Sequence, residues 1–435
     1  MGNIKEKIIN KTAVLGVIGL GYVGLPLAVE KAKAGFKTIG FDVKESKVEM
    51  VNNGENYIGD VVNEDLKEIV VSGYLSATTD FAKVAGADCV CICVPTPLDK
   101  HQQPDISYVE SSARSILPYM HKDMMIILES TTYPGTTQEL LKPILEESGL
   151  ECGIDFYLAF SPERVDPGNI AYKTKNTPKV VGGVTENCTE VAALLYENIL
   201  NAPIHRVSSP SVAEMEKILE NIYRNVNIGL VNELAVLCNK MGIDIWEVIE
   251  AAKTKPYGFQ AFYPGPGLGG HCIPLDPYYL SWKAREFGFH TSMIESSMMV
   301  NDRMPEYCAE RASKILNRYK KPLNGSKILL LGIAYKKDIA DYRESASLRV
   351  FRELEKEGAI LKYHDPYVPQ FNDRGVIYTG EKVLSKELLE ETDLVVITTD
   401  HSNIDYAYVQ RHAKMIFDTK NATKDVEIKE NIELL

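Results

Sequence analysis

The sequence predicts an α/β protein in which two doubly wound domains are joined by a long central helix. Three observations carry that expectation. From residue 12 onward, short apolar runs alternate with longer amphipathic stretches, the pattern of βα repeats over a parallel sheet. The alternation gives way at residues 212–241 to a stretch with helical apolar periodicity, about eight turns long. It resumes after Lys320-Lys321-Pro322-Leu323-Asn324-Gly325, which reads as a linker.

Taken in order, strands are expected at 12–18, 37–42, 88–94, 124–129 and 156–161, with another near 178–182. Pro and Ser cluster between 203 and 210 and close the first domain, placed at 1–208. A helix as long as 212–241 more often bridges domains or packs a subunit interface than sits inside one α/β unit. It opens a helical middle domain, 209–318. The last domain, 319–435, starts with a strand at 327–331, a helix at 347–357 and a strand at 360–364, with another strand at 393–398.

The 435 residues suffice for roughly two or three domains, each with its own core, and 45% apolar with 25% charged content is ordinary for a globular protein. The net charge of −12 argues against a nucleic-acid or anionic-membrane surface, while leaving room for local basic pockets that hold phosphate. The eight Cys include no C-x-x-C pair and no Cys/His spacing that suits zinc, so no metal is expected. Cys89, Cys91 and Cys93 read as one face of a buried strand in a reducing cytoplasm. Residues 13–29 carry no charge, but four glycines and a proline interrupt a run short of the roughly 20 residues a spanning helix needs. With no cleavage site after it, the expectation is a soluble, cytoplasmic protein.

Gly19-Leu20-Gly21-Tyr22-Val23-Gly24 follows the first strand and opens a helix, the context in which GxGxxG binds a dinucleotide. The second strand ends at Asp42, where a carboxylate accepts from ribose hydroxyls and repels the extra phosphate of NADP. NAD is therefore the expected cofactor, in a Rossmann-like domain. Val94-Pro95-Thr96-Pro97, Glu129-Ser130-Thr131-Thr132 and Ser161-Pro162-Glu163-Arg164 close further strands on the same sheet edge and are expected in the ligand crevice.

Further on the chain reads Gly265-Pro266-Gly267-Leu268-Gly269-Gly270-His271-Cys272-Ile273-Pro274-Leu275-Asp276-Pro277. Glycines allow close backbone approach and prolines stiffen the turn, so a rigid turn with an incidental thiol and a reactive thiolate are both open readings. Lys217, among Glu214, Glu216 and Glu220, reads as a solvated helix face on its own, and Asn221 shares that face one turn later. Lys336, in the loop after the first strand of the last domain, and Arg343 are placed to meet phosphate, although Asp338, Asp341 and Glu344 offer both of them structural partners.

Assembled, these parts resemble the NAD-dependent nucleotide-sugar 6-dehydrogenases, the UDP-glucose/GDP-mannose dehydrogenase family. The resemblance spans nearly the whole chain. It rests on the glycine motif, Ser161-Pro162-Glu163-Arg164, Ala213-Glu214-Met215-Glu216-Lys217 with Asn221, the Cys272 segment, and the run from Gly332-Ile333-Ala334-Tyr335-Lys336 to Arg343-Glu344-Ser345. Arg164-Val165-Asp166-Pro167-Gly168-Asn169 and Lys255-Pro256-Tyr257-Gly258-Phe259, leading through Phe262-Tyr263-Pro264-Gly265, look like the enzymes acting on N-acetylated UDP-hexosamines. Leu275 stands where enzymes for UDP-glucose usually carry Lys, and Pro256 lies near where they tend to carry an Arg. The resemblance is closest to UDP-N-acetylglucosamine 6-dehydrogenases, with the UDP-N-acetylmannosamine enzymes second.

The resemblance implies a four-electron oxidation of a C6 alcohol to a carboxylate with two NAD, supplying a surface-polysaccharide precursor. It casts Cys272 as nucleophile, through a thiohemiacetal and a thioester. Lys217 and Asn221 become the oxyanion partners, with Lys217 also a possible base. Asp276 and Glu163 become acid/base groups working through a water held by Thr131. It assigns the cofactor to Gly19, Gly21, Tyr22, Val23, Gly24, Asp42, Pro95, Thr96 and Thr131. The UDP-N-acetylhexosamine falls to Glu163, Arg164, Lys217, Asn221, Phe262, Tyr263, Gly265, Gly269, Lys336 and Arg343. His271 stays outside the chemistry, since neighbours in an extended loop point apart. A homodimer or higher homo-oligomer built on the long helix is implied as well. The rival readings are a two-electron dehydrogenase of similar domain order and a nucleotide-sugar-binding regulatory protein without turnover.

Overall fold

Strands covered by helices on both faces read as near-continuous apolar runs, and the central strands here are of that kind. The computed structural model describes residues 3–435 other than 60, 167, 170 and 271, and of Cys272 the backbone alone. The chain divides into two compact units, Met1–Glu220 with Tyr278–Phe289, and Asn221–Pro277 with His290–Leu435.

The first unit holds an eight-stranded sheet. Its strands are β1 (Val14–Ile18), β2 (Lys37–Phe41), β3 (Leu75–Thr78), β4 (Cys89–Ile92), β5 (Met125–Leu128), β6 (Tyr157–Phe160), β7 (Lys179–Gly183) and β8 (Ile204–Val207). They lie in the order β3-β2-β1-β4-β5-β6-β7-β8, and β6 and β7 pair antiparallel. The order reverses between β1 and β4, which opens a crevice at their carboxyl ends. β3 and β8, not expected from the sequence, are the two edges. Each is four residues long, and β8 is half-buried at its two ends and exposed between them, so neither makes a long apolar run.

In the second unit β9 (Lys327–Leu331), β10 (Ile360–His364), β13 (Leu394–Ile397), β14 (Ile416–Asp418) and β15 (Ile432–Leu434) form a parallel sheet, order β10-β9-β13-β14-β15, beside a hairpin of β11 (Gln370–Asp373) and β12 (Val376–Thr379). Alternate residues feed separate cores. Ile328, Leu330, Val396 and Phe417 join one, and Leu329, Leu331, Val395, Ile397 and Ile416 the other. A sheet buried on both faces is the doubly wound arrangement.

The long helix runs Pro210–Met241, with proline at its start, where the missing N–H costs nothing. One expectation is corrected: residues 265–277 are not one extended turn, because a helix, Cys272–Ala284, begins inside it. Pro274 sits in its first turn, while Pro277 lies inside. Among the described residues no helix is long and apolar enough to cross a membrane.

Candidate active site

The three motif glycines answer three different demands. A Cβ on Gly24 would stand 1.8 Å from the Gly19 carbonyl oxygen, and one on Gly19, whose φ is +90°, 2.6 Å from the Cys93 carbonyl oxygen. Gly21 has nothing among the described residues within 4 Å of that position, which leaves the open backbone a pyrophosphate requires at the start of the Gly24–Lys33 helix. Val23 packs on the core and Tyr22 is exposed. Asp42, buried just past the end of β2, accepts from Leu20 N at 3.0 Å and Lys44 N at 2.9 Å, and Lys47 Nζ stands 3.2 Å away. Tyr57 Oη holds the same loop through the Leu20 carbonyl at 2.7 Å. Across the crevice Pro95 is exposed, while Thr96 is buried and donates to the Thr131 carbonyl at 2.8 Å and accepts at its own carbonyl from Tyr279. Open backbone, a helix N-terminus and a carboxylate at the next strand end fit NAD. Sequence reasoning missed Tyr57 and Tyr279, both distant in the chain from the loops they hold.

The other crevice loops differ from one another. Glu129, expected in the crevice, is buried in the interior against Lys179 Nζ at 2.7 Å. Glu163 Oε1 accepts from the amides of Arg164 at 2.8 Å and Val165 at 2.9 Å, closing its own turn. Arg164 donates to Glu220 from Nε at 3.1 Å and to the Pro178 carbonyl at 3.0 Å, with Glu216 3.5 Å away. Lys217, between those two carboxylates in sequence, is buried. Burial, then the neighbouring Glu220, push the Glu216 carboxyl up to about 7, and among the described residues its Oε2 has no hydrogen-bond partner.

In the second unit the long helix presents buried amides at residues 221, 225 and 232. Asn221 Nδ2 donates to Asp276 Oδ2 at 2.5 Å. Pro277 has no N–H to offer the carbonyl four residues back, and Asn225 Nδ2 takes that place, donating to the Ile273 carbonyl at 3.1 Å. Asn232 accepts from Gly265 N at 2.9 Å and donates to Asn301 Oδ1 at 2.9 Å; Asn301 donates in turn to the Asn225 carbonyl at 3.0 Å. Asn225, Asn232 and Asn301 position the 265–277 segment and were absent from the sequence-based set. Their signal was asparagine in helix interiors, where it is a poor helix former. The Cys272 side chain and His271 lie outside the described residues.

At the carboxyl edge of the second sheet Gly269 and Gly270 pack on Tyr335, each too close for a Cβ to fit without movement. Lys336 follows in the same loop, and Arg343 makes a two-point contact with Asp341 at 2.9 and 2.7 Å. Lys420, two residues past β14, brings its ammonium near Gly265; the three-residue strand gave no usable pattern. Asp365 Oδ2 receives the amides of Ile333 at 2.6 Å and Ala334 at 2.8 Å and faces His401 Nε2 at 3.0 Å. Burial works to raise its pKa, but His401 and those amides outweigh it and bring the carboxyl down to about 2. Phe262 packs edge-on to Tyr223, and Tyr263 stacks on Trp246 and donates to Glu250 at 2.7 Å.

Comparison with known proteins matches the chain in three consecutive parts. Residues 13–200 match the NAD binding domain of the UDP-glucose/GDP-mannose dehydrogenase family, 211–303 its central domain, and 329–425 its UDP binding domain. The chain is 37% identical over 359 residues to a UDP-N-acetyl-D-glucosamine 6-dehydrogenase of Pseudomonas aeruginosa, covering 82% of this chain and 84% of that one. It is 34% identical to a UDP-N-acetyl-D-mannosamine dehydrogenase of Pyrococcus horikoshii, covering 94% and 96%. The solved structure of a UDP-D-ManNAc dehydrogenase from P. horikoshii superposes with a TM-score of 0.88 at 32% identity, covering 97% of this chain and 98% of that one.

Asn232→Ala strips partners from two buried groups, Gly265 N and Asn301 Oδ1, and is expected to cost about 3 kcal/mol in urea denaturation; a loss under about 0.5 kcal/mol contradicts the positioning role. Glu216 binds its proton more tightly folded than unfolded, so its contribution to stability falls as pH rises from the unfolded carboxyl range through about 7. Glu216→Gln removes that loss. Its melting temperature is expected to exceed that of the parent at pH 8, with the gap closing toward pH 4. A gap independent of pH speaks against the assignment.

Proposed function

The chain belongs to the UDP-glucose/GDP-mannose dehydrogenase family, and on that premise we propose that it oxidises the C6 hydroxyl of UDP-N-acetylglucosamine to the uronic acid. The family chemistry is NAD-dependent oxidation of a nucleotide sugar. The observation that carries the catalytic reading is the buried amide series at 221, 225 and 232, which holds Asp276 and the Cys272 helix start against the long helix. The N-acetylated sugar is supported by Leu275 in place of lysine and by the relatives named for such substrates. UDP-N-acetylmannosamine is the second reading, favoured by the P. horikoshii enzyme at 94% coverage of this chain. The acid formed is a precursor of surface polysaccharide.

Gly19, Gly21, Gly24 and Asp42 would hold NAD, which when bound accepts a hydride in each of two oxidations. Lys217 and Asn221, one turn apart on the long helix, steady the negative oxygen that develops at C6. Cys272 adds to the aldehyde, keeping it as a thiohemiacetal, and carries the acid-level product as a thioester. Asp276, oriented by Asn221, and Glu163, fixed by its own turn amides, move protons to and from the water that hydrolyses the thioester, with Thr131 as that water's partner. Lys336 and Lys420 supply positive charge for the diphosphate.

Two copies are proposed to pair along the long helix. Val212, Met215, Leu219, Tyr223, Leu230, Leu234, Leu237 and Met241 are exposed and recur at three-, four- and seven-residue steps, an apolar stripe left unburied in one chain.

Across a panel of UDP-glucose, UDP-N-acetylglucosamine, UDP-N-acetylgalactosamine, UDP-N-acetylmannosamine and GDP-mannose, the N-acetylglucosamine sugar is expected to turn over fastest and to give two NADH per sugar. A ratio of one sinks the four-electron reading, and no NADH from any sugar favours a binding protein. Cys272→Ser is expected to bind cofactor and sugar and to lose steady-state acid formation. The double variant Leu230→Glu with Leu234→Glu is expected to run as a monomer in light scattering; an unchanged mass removes the stripe from the interface.

A further inference from the structure

Cys91 on β4 and Lys31 on the Gly24–Lys33 helix are both fully buried, with Lys31 Nζ 2.7 Å from Cys91 Sγ. Sulfur is larger than oxygen and ordinarily keeps an ammonium donor several tenths of an ångström beyond the 2.7–3.2 Å of an N–H···O bond. The spacing is that of nitrogen and sulfur joined through one bent oxygen. A second ammonium lies in the same interior. Tyr196 Oη stands 3.9 Å from Cys91 Sγ and donates to Glu129 Oε1, while Lys179 Nζ donates to Glu129 Oε2 at 2.7 Å and to the Pro162 carbonyl at 3.1 Å. Glu129 thus holds Lys179 directly and acts on the Lys31 ammonium through space, so with Cys91 as a thiol two buried cations have one carboxylate between them, a costly surplus of positive charge. Burial pushes the Cys91 thiol up, with the Lys31 ammonium as the main opposing influence.

We propose that Lys31 and Cys91 are a modification site, closed by dioxygen into a covalent Nζ–O–Sγ bridge. The Lys31 ammonium, the Cys91 thiol and one dioxygen give the bridged pair, one water and one proton. The O–O bond breaks. One oxygen forms the N–O and O–S bonds; the other leaves as water with two of the four hydrogens on nitrogen and sulfur, a third departs as the proton and the fourth stays on nitrogen. Dioxygen takes up four electrons, drawn from sulfur and nitrogen. Dioxygen is small and apolar, so it suits a site with no exposed surface. Closure removes the Lys31 charge and leaves Glu129 with Lys179 as a one-to-one pair. It also ties the helix that begins at Gly24 to the strand that leads into Val94-Pro95-Thr96. Four equivalents of a thiol reductant return amine, thiol and water, so the bridge is reversible.

The test is mass spectrometry of the full-length protein, purified either in air or without dioxygen in the presence of dithiothreitol. The air-purified protein is expected to be heavier by about 14 Da, one oxygen gained and two hydrogens lost. Its digest should contain a cross-linked peptide joining residues 31 and 91 that dithiothreitol separates. Cys91→Ser is expected to lack the gain, and the bridged parent to melt higher than the reduced one. Equal masses for the two preparations overturn the proposal. So does oxygen found on Cys91 alone, or a 14 Da gain that survives dithiothreitol, which marks a methyl group. The wild-type comparison decides the matter even if the Cys91→Ser chain fails to fold.

Discussion

The long helix works through its buried side chains, and above all through Asn225 on the Ile273 carbonyl. A helix satisfies its own backbone, so it can grip another segment only with side chains. Pro277 removes the donor that Ile273 would otherwise find within its own helix, and a buried carbonyl left alone costs about 1–3 kcal/mol. Asn225 fills that place, and its backbone carbonyl and side-chain oxygen are engaged in turn by Asn301 and Ser297. One turn toward the N-terminus, Asn221 takes Asp276; two turns the other way, Asn232 takes Gly265. Near its start, Glu214 receives Gly135 N at 2.6 Å and Thr137 N at 2.9 Å. Each bond has a direction, so the register of residues 265–277 against the helix is fixed more tightly than apolar packing alone achieves.

Buried charge is organised in the same spirit. Asp365 beside His401 binds two amides of the loop after β9, and Lys179, paired with Glu129, donates to the Pro162 carbonyl before Glu163. In both cases a buried carboxylate and the side chain that donates to it hold a loop that carries candidate site residues. Removing the donor would leave a lone carboxylate in the interior, so these loops tolerate little rearrangement.

Much of the fold was legible in the sequence because central strands of a covered sheet are strongly apolar: 14–18, 89–92 and 125–128 announce themselves. The edges β3 and β8 and the three-residue β14 and β15 were not, since an edge needs no continuous run and three residues carry no period. With β14 went Lys420, which only the chain's return to Gly265 identifies. The proline-bearing segment misled for a related reason. Pro274 and Pro277 look like helix breakers, and only a partner 48 residues away, Asn225, makes a helix there affordable. Glu129 sat on a strand end like its neighbours in the list of crevice loops, yet its side chain turns inward because Lys179, on a strand two places away in the sheet, supplies the charge. Local pattern locates elements; the pairing of buried polar groups is a long-range property.

The three glycines of the motif finally separate two kinds of constraint. Gly19 and Gly24 are demanded by the chain's own atoms, whereas a side chain at Gly21 would face open space among the described residues. Its requirement is imposed by the ligand alone. In a descendant that kept this fold and abandoned the dinucleotide, residues 19 and 24 would stay glycine while residue 21 drifted. The three positions together therefore act as a record: two report whether the domain still folds, and one whether it still has a cofactor to bind.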